Sequence, residues 1–301
     1  MRAIRLATVL VSAFVVTSAS FADTIEVDTF AGKAEVPVSP KTIAVFDIAA
    51  LDTLNALGVS VAGAPERVYV DYLYDAVENA EKVGSLFEPD FEAINALQPD
   101  LIIAGGRSSK QVDALSKLAP TIDMTIWGDV LPQVKSRLYA YGQIFGKQAK
   151  AKQLDDELMK ALEEARNAAA GAGKALIVLT QGPKVSVYGP KSRFGWIHSL
   201  LGVEAAILDI DASTHGEAVS FEFIREANPD WLIVIDRAAA IGQDAALAAE
   251  TLDNKLVADT TAWKNDQVVY LDAAKIYIAA GGYKATMDTI GDLTSQFSKT
   301  N

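Results

Sequence analysis

Two stretches of this chain repeat one another: FEAINALQPDLIIAGGR, from Phe91 to Arg107, and FEFIREANPDWLIVIDR, from Phe221 to Arg237, 130 positions later. Each copy has a helix-capping residue (Asp90, Ser220) before Phe-Glu, then a short helical segment, a Pro-Asp turn and an apolar strand that runs to an arginine. A chain that writes this unit twice is constrained to two α/β layers of similar plan. In open α/β sheets ligands bind in the crevice at the carboxyl ends of the strands. Arg107 and Arg237 are therefore expected to look into one gap from two sides.

The rest of the chain fits that frame. TIEVDTF and AEVPV alternate apolar and polar residues around an Ala-Gly-Lys turn and predict a hairpin. A βα rhythm follows to about residue 146 and restarts after Gly173 with KALIVLT, closing in a helix from about Lys284 to Phe297. Between the two lies KQAKAKQLDDELMKALEEARNAAAGAG, free of Gly and Pro from Lys147 to Ala170, which predicts one helix of ~36 Å at 1.5 Å per residue. A flexible tether would be rich in Gly, Ser and Pro. The expected architecture is α/β: two lobes with mainly parallel central sheets, joined by one long rigid helix, with a ligand cleft between them. An ordinary long helix inside one large domain is the alternative. The divisions are a signal peptide at 1–22, an N-terminal lobe at 23–146, a linking helix at 147–173 and a C-terminal lobe at 174–301.

The leader rests on Arg2 and Arg5, an apolar run from Ala7 to Val16, and a small-x-small Ser20-Phe21-Ala22 site. That run is about half of what a membrane-spanning helix needs, so membrane insertion is not expected of the mature chain. There is no cysteine, which excludes disulfides, thiolate metal sites and a lipid on an N-terminal Cys. A diffusing periplasmic monomer is the expectation. Without the leader, 25 basic residues face 39 acidic ones, a net charge of −14. Such a chain binds nucleic acid poorly, and any anion it captures must be held by basic residues gathered in one place.

Further residues converge on the same rim. VYGPKSRFGWIHSLLG puts Arg193 in a Gly/Pro loop, and DASTHGEAVSFEF puts His215 in a polar loop leading into the second repeat. His198 sits inside a helical segment and is read as structural or surface. Tyr277, in LDAAKIYIAAGG, suits a core position as well as a ligand. Three guanidiniums suit an anion with paired oxygens, while a phenolate and an imidazole can complete the coordination of Fe(III). An iron chelate meets both demands. Glu92 and Glu222 open their helices, where they favour the helix dipole.

No G-x-S-x-G elbow or H-E-x-x-H motif supports an enzyme, so a periplasmic hydrolase is the weaker reading. GAGKA at Gly171 to Ala175 lacks the phosphate-loop spacing and reads as a helix end. Two histidines in unlike contexts are too few for a Zn or Mn receptor.

VGSLFEPDFEAINALQPDLIIAGGR, YGPKSRFGWIHSLLGV, THGEAVSFEFI, NPDWLIVIDR and VVYLDAAKIYIAAGG together resemble the periplasmic siderophore-binding proteins of ABC iron importers, over essentially the whole mature chain. The likeness is to the helical-backbone substrate-binding class and its branch for ferric catecholates of the enterobactin and petrobactin type. The resemblance implies a basic cleft of Arg107, Arg193 and Arg237, with His215 and Tyr277 as iron ligands when the siderophore leaves coordination positions open. In such relatives aromatic residues precede the tyrosine, where this chain has Lys275 and Ile276. It also implies that Glu92 and Glu222 dock onto a dimeric permease, that there is no intrinsic cofactor, and that the transported ligand is an Fe(III)-siderophore. Haem or cobalamin uptake on the same lobe plan is the alternative.

Overall fold

The computed structural model describes residues 23–210, 216–243 and 247–299, so the leader read at 1–22 lies outside the described residues. The hairpin forms as β1 (Thr24–Thr29) and β2 (Gly32–Pro37), paired antiparallel from Thr24↔Pro37 to Thr29↔Gly32. Next come β3 (Ile43–Val45), β4 (Gly63–Ala64), β5 (Glu81–Lys82), β6 (Leu101–Ala104) and β7 (Thr121–Asp123). They form one parallel sheet in the order β5-β4-β3-β6-β7.

The second sheet holds β8 (Lys174–Gln181), β9 (Lys184–Tyr188), β10 (Glu204–Ala205), β11 (Glu217–Val219), β12 (Trp231–Asp236) and β13 (Val268–Leu271). Its order is β11-β9-β8-β12-β13, with β10 paired to the start of β8. β10, β12 and β13 extend the parallel set of β8, whereas β9 turns back at Gly182-Pro183 and β11 is antiparallel to it. The α/β class with mainly parallel sheets is borne out. Sequence reading passed over β9 and β11 because both are short and bounded by turn residues, which look like loop.

The repeat is reproduced down to its caps. Asp90 accepts from the Glu92 and Ala93 amides at the start of the Phe91–Leu97 helix, and Ser220 accepts from the Phe223 amide at the start of the Phe221–Ala227 helix. Both helices end on a left-handed residue, Gln98 (φ 50°) and Asn228 (φ 39°). Both bury one isoleucine completely, Ile94 and Ile224, against the outer face of the neighbouring sheet. The Pro-Asp aspartates also match: the Asp100 carboxylate accepts from the Lys41 and Thr42 amides, and that of Asp230 from the Lys174 amide. Each thus pins the chain at or just ahead of the start of the adjoining strand.

The intervening helix runs from Gln148 to Ala168, 21 residues or ~31 Å, slightly inside the predicted Lys147–Ala170. Its buried stripe includes Ala151, Leu154, Leu158, Leu162 and Ala165. It packs on the Val130–Ile144 helix and on the Trp196–Leu201 helix, one on the side of each sheet. GAGKA follows its end, as expected of a helix terminus.

A second helix shares this joining role. The Tyr283–Phe297 helix lies against Gln148–Ala168 and against Ile48–Ala56 of the first half, so one apolar core runs from Val27 to Phe297. Asp52, 1% exposed, accepts from the Lys284 and Ala285 amides and the Tyr72 hydroxyl, and the Thr53 hydroxyl accepts from the Tyr283 amide. Gly282 permits this approach, since a Cβ there would sit 2.6 Å from the Asp52 carboxyl carbon.

Burial pushes the Asp52 carboxyl up to about 6, against the pull of Tyr72 and the two amides. Its proton is therefore held more tightly in the folded state, and this contribution to stability is lost as pH rises through about 6. Asp52→Ala should cost about 2–4 kcal/mol in urea unfolding, by removing a cap and leaving buried donors unpaired. A loss below about 0.5 kcal/mol would show that the clasp is not structural.

Candidate functional site

A cavity of about 710 Å³ opens between the halves, lined from the first by Asp47, Tyr69, Phe87, Arg107 and Trp127 and from the second by Arg193, Arg237, Ile241 and Tyr277, among others. All three predicted arginines therefore line one cavity.

Arg107 lies three residues past β6, in the turn Gly106–Gln111, held there by the Gly106 amide donating to the Thr125 hydroxyl at 2.8 Å. Arg193 sits in the loop before Trp196–Leu201, where the Ser192 hydroxyl donates to the Gly189 carbonyl at 2.6 Å. Arg237 directly follows β12 and opens the Arg237–Ile241 helix, capped by Asp236 through the Ala239 amide. Two of the three thus stand at or just beyond strand ends.

All three converge on Tyr277, the last residue of the Ala273–Tyr277 helix. Arg107 Nη2 donates to the Tyr277 carbonyl at 3.0 Å, Arg193 Nη2 donates to the same carbonyl at 3.3 Å, and Arg237 Nε donates to the Tyr277 hydroxyl at 2.9 Å. Their guanidinium carbons lie 5.6, 4.5 and 5.7 Å from the Tyr277 ring centroid. A carbonyl in the last turn of a helix carries partial negative charge, and an aromatic face attracts cations, so one residue holds three like charges together. Tyr277 is 7% exposed, and its ring packs 6.4 Å from that of Phe194. Tyr277 is thus a core residue that also forms part of the cavity wall.

The cluster is electrostatically strained. Burial lowers the proton affinity of Arg107 and Arg193, and each is lowered further by a neighbouring arginine: Arg237 for Arg107, and Arg107 for Arg193. Asp47 is the compensating carboxylate beside Arg107. It caps the Ile48–Ala56 helix through the Ala50 amide, and burial pushes its own carboxyl up against the pull of that amide and of Arg107. An anion entering the cavity would relieve what one carboxylate leaves unbalanced.

Aromatic side chains line the cavity as well. Phe30, Phe87 and Trp127 line the cavity at 53%, 56% and 49% exposure, and Tyr69 joins them. Phe30 comes from the hairpin, whose tip is tied by its amide to the Asp123 carbonyl at 2.8 Å. Buried Arg137 donates to the carbonyls of Asp28, Met124 and Thr125, fixing the hairpin and the segment that leads to Trp127.

Other predicted positions fall as follows. His215 lies outside the described residues. His198 is buried in its helix, and burial pushes its imidazole down, towards the neutral form. Glu92 and Glu222 are both exposed, each just inside its helix, and the Glu222 carboxyl is held down by its own amide and by Ser220. Among the tryptophans, Trp127 lines the cavity, whereas Trp196 is buried and Trp263 packs in the outer core of the second half. Sequence reasoning missed Asp47, Tyr69 and the phenylalanines. A capping aspartate before IAALDTLNALG was the available signal for Asp47. Nothing local marked the aromatics, because an isolated aromatic in a loop has no periodicity to betray it.

A class follows from two α/β halves tied by helices around a basic, aromatic cleft: a binding protein. The chain belongs to the periplasmic binding protein family, whose profile matches residues 43–274. It is similar to the petrobactin-binding protein YclQ of Bacillus subtilis, at 38% identity over 270 residues that cover 88% of this chain and 85% of YclQ. The crystal structure of YclQ matches with a TM-score of 0.85 at 36% identity, covering 91% of this chain and 99% of that one. The ferric-anguibactin-binding protein FatB of Vibrio anguillarum is 33% identical over 270 residues, 87% of this chain and 84% of FatB. The crystal structure of the periplasmic catecholate-siderophore binding protein VctP from Vibrio cholerae matches with a TM-score of 0.85 at 30% identity, covering 91% and 100% of the two chains.

Proposed function

We propose that this protein captures an anionic ferric siderophore of the catecholate class in the cleft between its halves and delivers it to the permease dimer of an ABC importer, without catalysing a reaction. The observation that carries this reading is the convergence of Arg107, Arg193 and Arg237 on Tyr277 in a cavity that aromatic side chains also line. The cations suit the negative charge of a catecholate iron centre, and Phe87, Trp127 and Tyr69 suit its flat rings. Relatives that bind petrobactin, ferric anguibactin and catecholate siderophores support the same class. The leader at 1–22 accounts for export, and the absence of cysteine means that no lipid is attached through a thiol.

Direct iron ligation by His215 and Tyr277 remains part of the proposal for a chelate with open coordination positions. A bis-catecholate leaves two sites on octahedral iron, whereas a tris-catecholate leaves none. Tyr277 would then exchange its hydrogen bond with Arg237 for a bond to iron.

Incubation with a ferric bis-catecholate, a ferric tris-catecholate or haem, followed by gel filtration, tests the reading through the visible spectrum. A catecholate-to-iron charge-transfer band should travel with the protein. Retention of haem in preference to both catecholates would refute it.

A further inference from the structure

Arg67 makes a contact between the two halves beside the cavity. It lies in the loop after β4, is exposed, and holds its guanidinium carbon 4.5 Å from the centroid of the Tyr69 ring. Tyr69 lines the cavity and has φ 66°, a left-handed backbone that bulky side chains rarely adopt and that persists only where its surroundings enforce it. On its other side the guanidinium lies against Gly242, which ends the Arg237–Ile241 helix of the second half at φ 67°. A Cβ at Gly242 would stand 2.3 Å from Arg67 Nη2, so a larger residue there would displace the arginine. Ile241, the preceding residue, lines the cavity as Tyr69 does. The guanidinium therefore bridges the two halves beside the lining residues Tyr69 and Ile241.

We propose that Arg67 is a closing and specificity-determining residue of the cleft: a fourth cation, oriented beside the cavity by Tyr69 and seated against Gly242, that retains an anionic chelate once bound. This rests on the functional reading above. Arg107, Arg193 and Arg237 bond Tyr277, whereas Arg67 lies between Tyr69 and Gly242, next to the lining residues Tyr69 and Ile241 and without a bond to Tyr277. A planar guanidinium stacked on an aromatic ring keeps its edge donors free for an oxygen anion. Its bridge between the halves must part for the ligand to leave, so its effect belongs to dissociation.

Stopped-flow Trp fluorescence with a displacing excess of apo-siderophore separates the rates. For Arg67→Ala, dissociation of an anionic ferric catecholate should accelerate about tenfold while association changes less than about threefold, since interface substitutions act mainly on the off-rate. Arg67→Lys should fall between, keeping charge but losing the stack. Dissociation of an uncharged ferric hydroxamate should change less than that of the catecholate, and the melting temperature should not move. Equal catecholate off-rates for Arg67→Ala and the unsubstituted protein, or equal acceleration for both chelates, would overturn the proposal. Failure of the unsubstituted protein to bind a ferric catecholate would instead overturn the functional reading, and this inference with it.

Discussion

Arg107→Gln, Arg193→Gln and Arg237→Gln should each weaken capture of a ferric catecholate by roughly 30- to 150-fold, about 2–3 kcal/mol, the scale of a charge-assisted hydrogen bond lost in a partly desolvated site. The expectation for folding is the reverse of what hydrogen bonds across the cleft would suggest. Each guanidinium bonds Tyr277, yet burial and a neighbouring arginine both disfavour the charge on Arg107 and on Arg193. Glutamine at either position removes a buried charge at the cost of one hydrogen bond to Tyr277 and, at Arg107, of the counter-charge beside Asp47. The ligand-free variants should therefore stay within about 1 kcal/mol of the unsubstituted protein in denaturant titrations, or gain stability. A variant that loses affinity only in proportion to a large loss of stability would mean that the arginines serve the fold.

The second large effect concerns delivery. Glu92→Ala combined with Glu222→Ala should leave siderophore affinity in solution unchanged and reduce uptake by cells carrying the cognate permease at least tenfold, which two lost ion pairs of about 0.7 kcal/mol each already supply. The two glutamates occupy the same place in the repeated unit: exposed, one residue into a short helix, behind a side-chain cap. A capping role alone predicts a small stability loss and normal transport. A docking role predicts lost transport at wild-type expression, with each single variant affected less than the pair. Normal uptake by the double variant would reduce both residues to helix starts.

How much of this was legible in the sequence can be judged residue by residue. The repeat foretold helix, turn, strand and arginine in both halves because each depends on local chemistry: a cap, a Pro-Asp turn, an apolar run. Arg107 and Arg237 followed from the rule that sites gather at strand ends, and Arg193 from a Gly/Pro loop before a helix. The long helix was visible from composition to within a few residues of its ends. What stayed hidden is what depends on distant partners. Asp52 looks like any polar residue of a helix until the Lys284 and Ala285 amides arrive from the end of the chain. Tyr277 as a common acceptor for three arginines could not be read from spacings of 170, 84 and 40 residues. The aromatic wall is drawn from four separate loops and leaves no pattern in any one of them.

Capture of an anionic iron chelate by an acidic chain depends on the cations and aromatics gathered in its cleft. Its most direct test is a titration of Trp127 emission, since this half-exposed indole lines the cavity. Purified protein should show saturable quenching at one ferric bis-catecholate per chain. The signal should be lost in Trp127→Phe, and the midpoint should move to much higher concentration in the Arg107→Gln, Arg193→Gln, Arg237→Gln triple variant. Saturation at the same concentration in the triple variant, or no saturable quenching in the unsubstituted protein, would contradict the account.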